Sequence, residues 1–190
     1  MSGSRYSPWR LRQFRQIFYA GGVFAYPTES VYGLGCDPWN HEAVSDLLEI
    51  KSRDPANGLI LIASSVEQLA PFVSLHNRQD WEMVTEARDR ATTWIVPSSE
   101  ETPWWIKGVH QSVAVRITGF SPVVQLCSSV SSALVSTSAN LSGYPALRDA
   151  VSVRRSLGKQ LDMLLSGETG GAFGPSEIRE LYSDRVVRGG

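Results

Sequence analysis

Apolar positions along the 190-residue chain fall into short blocks divided by polar turns. Between residues 9 and 20, Leu11, Phe14, Ile17 and Phe18 recur at the spacing of one helix face, and Gly21-Gly22 supplies a stop. VFAY (23–26) reads as a buried strand ended by Pro27. Asn40 can cap a second helix with Ala43, Val44, Leu47, Leu48 and Ile50 on its apolar face, closed by Asp54-Pro55. LILIA (59–63) is a strand by its branched residues, and Ser65 with Gln68 resembles a capping box for a short helix to Leu69. A weakly amphipathic stretch covers 77–90. WIVP (94–97) and SVAVRI (112–117) are strands separated by a loop bearing Pro103, Trp104 and Trp105. Ser121-Pro122 opens a helix as cap and first-turn proline. ALVST (133–137), LDMLL (161–165), a segment near 177–181 and RVVR (185–188) complete the strands.

Helices and strands alternate throughout, with no repeat and no low-complexity linker. The expectation is one domain over residues 1–190, α/β of the α+β type. A twisted sheet of mixed parallel and antiparallel strands would be flanked by helices around a concave substrate groove. At 42% hydrophobic and 19% charged, the composition excludes a disordered tail and a coiled coil. A formal charge of −1 argues against coating nucleic acid by bulk charge, while a local basic patch stays open. Cys36 and Cys127 make no disulfide framework, and His41, His76 and His110 lack ligand spacing. No apolar run reaches the length of a membrane helix, and MSGSRYSPWRLRQF lacks a signal-peptide core. A cytoplasmic, reduced protein without membrane contact is expected.

Hydroxyls, glycines and cations collect in four islands, each just after an apolar element, where open sheets place ligands. The first runs Tyr26-Pro27-Thr28-Glu29-Ser30-Val31-Tyr32-Gly33-Leu34-Gly35, whose glycines allow close backbone approach. The second is Lys51-Ser52-Arg53 at a helix end, where cations also complement the helix dipole. The third, Ser136 to Gly143, carries five hydrogen-bonding side chains in eight residues, which suits phosphate or ribose oxygens and equally a plain turn. The fourth joins Gly167-Glu168-Thr169-Gly170-Gly171 to Pro175-Ser176-Glu177. GxxxxGK[ST], GxGxxG, HExxH and GxSxG are all absent. The chemistry left is anion binding with electrostatic stabilisation.

Taken together, AYPTESVYGLGCDP (25–38), LLEIKSRDPANGLILIA (47–63), SVAVRIT (112–118), LVSTSANLSG (134–143) and GETGGAFGPSEIRE (167–180) resemble the YrdC family in its short form. They stand in the family's order, and its signature of Lys-x-Arg with Ser-x-Asn is matched by Lys51, Arg53, Ser138 and Asn140. The resemblance implies a nucleotidyltransferase that makes threonylcarbamoyl-AMP from L-threonine, bicarbonate or CO2, and ATP, releasing pyrophosphate. Its product would feed N6-threonylcarbamoyladenosine modification of tRNA at position 37. The acceptor is expected to be a transferase complex of the TsaB/TsaD/TsaE type, with weak tRNA contact. Mg2+ would arrive on the ATP phosphates, since no carboxylate cage is evident.

By the same resemblance, Lys51 and Arg53 neutralise the triphosphate as the catalytic pair. ATP is lined further by Asn57, Ser112, Ser138, Asn140, Ala146 and Arg188. Threonine falls to Thr28, Ser30, Arg116, Ser136 and Ser176, with Arg116 clamping the carboxylate. Competing readings make Arg116 a structural ion-pair partner and Arg188 a solvated terminus, and leave Glu29 unassigned. One departure stands out: where the family carries Trp-Pro-Gly-Pro-x-Thr this chain has Arg88-Asp89-Arg90-Ala91-Thr92-Thr93, in which only Thr93 persists; a pre-set turn is lost and two arginines are added. Rival functions are an RNA-binding or ribosome-maturation factor that makes no adenylate, and a carbamoyl-adenylate enzyme like the related hydrogenase-maturation domain.

Overall fold

Twelve residues, Pro8–Tyr19, form helix α1, which starts where the Ser7 hydroxyl accepts from the Arg10 amide. The computed structural model describes residues 6–189 except Ala87, Asp89, Ser142 and Phe173. Asp89 of the replaced turn, Ser142 of the third island, Phe173 of the last motif and the first five residues therefore lie outside the described residues. Strands β1 (Phe24–Pro27) and β2 (Tyr32–Gly35) follow, then α2 (His41–Lys51), β3 (Ile60–Ala63), α3 (Val66–Leu69) and α4 (Arg78–Thr85). The chain continues through β4 (Thr92–Pro97), α5 (Trp104–Lys107), β5 (Ser112–Ile117), α6 (Ser121–Val130) and β6 (Leu134–Ser138). It ends with α7 (Ala150–Leu157), β7 (Met163–Leu164), β8 (Glu177–Glu180) and β9 (Val186–Arg188).

Among the described residues the strands make one mixed sheet in the order β7-β1-β2-β6-β3-β5-β4-β8-β9. β3 and β5 run parallel, as do β4 and β8, while β6 runs antiparallel to both β2 and β3. The expected α/β fold with a mixed sheet is the one observed.

Several local readings change. The first island turns back on itself as β2, which its two glycines had disguised as a loop. Gly35 is required there: a Cβ would meet the Val135 carbonyl oxygen at 2.6 Å. The 150–157 helix, capped by Asp149, and the single helical turn Trp104–Lys107 were not anticipated. LDMLL contributes only Met163–Leu164 to the sheet. Ser65 makes no cap bond; Gln68 instead accepts from the Ser64 amide at 2.8 Å. Phe120 occupies the cap position of α6, and Ser121 and Pro122 lie inside its first turn.

Paired residues on neighbouring strands share a face, so the register assigns the sheet's two sides. One side carries Ala25, Leu34, Leu61, Trp94, Val113, Val115 and Val135, buried in a core with residues of α2, α3 and α7. The other side is covered only in part. Phe24, Tyr26, Ile62 and Leu134 are buried against Phe14 and Phe18 of α1 and Val123, Leu126 and Cys127 of α6. Farther along the same side, Ser136, Ser138, Ile60, Ser112, Ala114 and Ile95 are only half-buried. This part-covered stretch, with its serines, Ala114, Ile60 and Ile95, is the candidate trough.

Candidate functional site

The four islands, far apart in sequence, converge on this trough. The first and fourth are sewn together by backbone: Gly170 N–H donates to the Thr28 carbonyl at 3.0 Å and Ala172 N–H to that of Glu29 at 2.9 Å. Gly170 is needed for this approach, because a Cβ would meet the Glu29 carbonyl oxygen at 2.9 Å and its Cα at 3.0 Å. Tyr32 adds a second seam, its phenol donating to the Gly167 carbonyl at 2.6 Å and accepting from the Gly167 amide at 3.0 Å. The first and third islands meet where Ala139 N–H donates to the Tyr32 carbonyl at 2.7 Å.

The second island is split by its middle residue. Ser52 caps α2 in the left-handed region at φ 46°, reversing the chain so that Lys51 and Arg53 leave in different directions. Lys51 is buried and donates to the Ser138 carbonyl at 2.8 Å, the Asn140 carbonyl at 2.6 Å and Asn140 Oδ1 at 2.6 Å. Ser138 Oγ donates to the same Oδ1 at 2.7 Å. Arg53 turns to the Gly58 carbonyl at 2.8 Å, and its buried Nε has no partner. Arg188 reaches in from β9 to the Ser176 carbonyl at 3.2 Å.

These cations act on one another. Burial and then the charge of Arg53 bring Lys51 down to about 8. Burial and then the charge of Arg188 lower Arg53. Among the described residues no carboxylate forms an ion pair with any of the three. Lys51 is buried and Arg53 half-buried, and positive charge held there without a counter-ion is costly unless an anion completes it.

At the α6 edge of the trough the arrangement differs. Arg116, expected to clamp a carboxylate, donates to Glu29 Oε2 at 2.8 Å, and Thr118 donates to the other carboxylate oxygen. The Phe120 amide in turn donates to Thr118 Oγ1 at 3.0 Å. Arg116 is therefore ion-paired, yet its buried Nε has no partner. Thr28 donates to the Val31 carbonyl at 2.7 Å, which braces the β1–β2 turn. Ser30 is buried beside it, and Ser176 shares a 2.8 Å hydrogen bond with Thr93. Ser136 faces the trough beside the buried Tyr26 phenol, whose titration burial raises most and the Ser136 hydroxyl partly offsets.

Two of the proposed residues take no part in these contacts. Asn57 is exposed at the end of a 3-10 turn, and Ala146 is half-buried in the loop after β6. Sequence reasoning left out Thr118 and the role of Glu29, and named Thr93 only as the retained threonine of the replaced turn. Thr93, a polar residue amid the strand TTWIVP, was visible as an anomaly; the Glu29–Arg116 pairing, across 87 positions, had no local signal.

In the replaced turn, the Arg88 guanidinium lies over the Trp94 ring at 4.7 Å, with Glu86 at 3.5 Å and Asp184 at 3.7 Å. Two carboxylates thus lie within 4 Å of Arg88, while Arg90 is exposed. Among the described residues no group of His, Cys, Asp and Glu is arranged to hold a metal, and no helix is long and apolar enough to cross a membrane.

Residues 16–190 match the family model Sua5/YciO/YrdC, described as telomere recombination. Threonylcarbamoyl-AMP synthase of Pseudomonas fluorescens Pf-5 is 45% identical over 96% of this chain and 98% of its own length. The protein of the same name from Vibrio campbellii is 41% identical over 95% of this chain and all of its own. Among solved structures, P. abyssi Sua5 complexed with L-threonine superposes with a TM-score of 0.84 at 28% identity, over 94% of this chain. This chain spans about half of that longer protein, 52% of its length. E. coli YciO has a TM-score of 0.82 at 22% identity over 98% of this chain and 91% of its own, a likeness of fold. The chain belongs to the Sua5/YciO/YrdC family.

Proposed function

We propose that the trough takes ATP, L-threonine and bicarbonate or CO2 and forms threonylcarbamoyl-AMP with release of pyrophosphate, as a nucleotidyltransferase. The observation that carries this reading is the cluster of Lys51 and Arg53, from one turn, with Arg188 from β9, and no acidic partner among the described residues. Such a cluster is complementary to a triphosphate. The threonine amine and CO2 give a carbamate, whose oxygen bonds to the α-phosphorus while the bond to the β-phosphate oxygen breaks. The negative charge that accumulates on departing pyrophosphate is what Arg53 and Arg188 stabilise.

Arg116 receives the threonine carboxylate on its unpartnered Nε edge while Glu29 holds the other edge. Thr28, Ser30, Ser136 and Ser176 surround the amino acid; Ser112, Ser138, Asn140, Asn57 and Ala146 line the nucleotide. Mg2+ enters as part of the ATP substrate complex. The product passes to a transferase complex of the TsaB/TsaD/TsaE type in the cytoplasm, for N6-threonylcarbamoylation of tRNA, with at most weak tRNA contact by this chain.

The test is pyrophosphate release from ATP with L-threonine and bicarbonate supplied together and singly. Release that requires both, and is lost in an Arg53→Ala, Arg188→Ala double variant, is the expected result. Folded protein that releases none, yet binds RNA with a salt dependence indifferent to ATP and threonine, overturns the proposal in favour of a binding module.

A further inference from the structure

Lys51 stands at the end of α2, where a cation facing the trough would be free to meet phosphate. Its ammonium is instead turned onto the backbone after β6, and the residue as a whole is 6% exposed. An ammonium has three protons, and all three have acceptors: the Ser138 carbonyl at 2.8 Å, the Asn140 carbonyl at 2.6 Å and Asn140 Oδ1 at 2.6 Å. Asn140 Oδ1 also accepts from Ser138 Oγ at 2.7 Å, and the Asn140 amide nitrogen donates to the Tyr144 carbonyl at 2.6 Å. Lys51 is therefore the hub of the turn that follows β6. Without it, the three oxygens would face one another with only the Ser138 hydroxyl and, at 3.1 Å from the Ser138 carbonyl, the Asn140 backbone N–H donating to them.

We infer that Lys51 is a positioning residue, which holds Ser138 and Asn140 in register for the nucleotide and leaves direct phosphate contact to Arg53 and Arg188. The inference rests on the nucleotide reading above. Arg53 has what Lys51 lacks, a donor without a partner in the buried part of the site. The charged neighbour acting on Lys51 is Arg53; β6 and its turn present only the uncharged groups of Ser138 and Asn140. Burial and that neighbour bring Lys51 to about 8, so mildly alkaline solution removes a proton from the hub and loosens it.

AMP and ATP separate the two roles, because AMP lacks the β- and γ-phosphates. A positioning residue serves both ligands alike; a direct ligand of the outer phosphates serves ATP alone. Calorimetric titration of both ligands into the wild-type protein, Lys51→Met, Asn140→Ala and the double variant at pH 7 and pH 9 provides the test. Lys51→Met should weaken AMP and ATP by the same factor, about tenfold, the size expected for losing charge-assisted hydrogen bonds. The double variant should bind no worse than the weaker single variant, since both act through one network. Wild-type affinity for both ligands should fall between pH 7 and pH 9, and that step should vanish in Lys51→Met.

A loss confined to ATP, multiplying with Asn140→Ala, would overturn the inference and make Lys51 a phosphate ligand. Should Lys51→Met fail to fold by circular dichroism, the wild-type pH dependence decides: an equal loss for AMP and ATP supports the inference, and a loss for ATP alone overturns it. A folded wild-type protein that binds neither nucleotide overturns the nucleotide reading and this assignment with it.

Discussion

Arginine appears at both ends of the trough, in opposite electrostatic company. Arg53 and Arg188 share their end with Lys51 and with no paired carboxylate among the described residues, and burial, then the charge of Arg188, lower the basicity of Arg53. Arg116 is balanced by Glu29 at 2.8 Å, with Thr118 holding the carboxylate in place. The first end is poised for a multiply charged anion that supplies the missing counter-charge. The second is nearly neutral and offers one guanidinium edge, which suits the single carboxylate of an amino acid. A second strong anion there would meet Glu29. In the proposed function one residue type would serve two ligands, distinguished by whether an acid was folded in beside it.

The largest effect that could break this division comes from exchanging the two ends. Arg53→Ala should lower kcat/KM for ATP by about 100-fold or more while leaving the threonine KM nearly unchanged, and Arg116→Ala should do the reverse. Steady-state kinetics with each substrate varied in turn will read this, and an ATP defect in Arg116→Ala of equal size would refute the division.

A smaller effect follows from the ion pair itself. Glu29→Gln keeps the shape but removes the charge, leaving Arg116 uncompensated. Urea unfolding should show a loss of about 1–3 kcal/mol, with a threonine KM raised and an ATP KM unchanged. Unaltered stability and an unaltered threonine KM would show that Glu29 does not hold Arg116.

The smallest effect sharpens the cationic end. The unfolded chain holds the Lys51 proton up to its ordinary 10.5, whereas the folded protein releases it near 8. Between those values the unfolded state binds more protons, so rising pH favours the folded state there; below 8 the cost of the buried charge is fully present. Relative to Lys51→Met, the wild-type protein should gain about 1 kcal/mol of stability between pH 8 and 9.5. Parallel pH profiles for the two proteins would place the Lys51 ammonium in water.

Much of this was legible beforehand, for identifiable reasons. α2 was readable because its apolar face repeats every three to four residues and Asn40 closes its start. SVAVRI and LILIA were readable because branched residues bounded by polar turns leave few alternatives. β2 was not, since Tyr32-Gly33-Leu34-Gly35 has two glycines in four positions, and those glycines are explained only by the Val135 backbone and the Tyr26 ring packed against them. The 150–157 helix was missed because just Val153 and Leu157 of its eight residues are buried, too short a stripe to stand out.

The same boundary runs through the site. Local sequence determined the elements, the polar islands after them and the chemistry of their side chains, because propensity, capping and apolar period act over a few residues. It also supplied the candidate chemistry, the cations and hydroxyls of the polar islands. Partners across long separations were decided only by tertiary structure: Lys51 on Asn140, Arg116 on Glu29, Gly170 on Thr28. Charge and hydrogen bonding act through space, and the sheet order that brings those groups within 3 Å is set by packing of both faces rather than by neighbours along the chain.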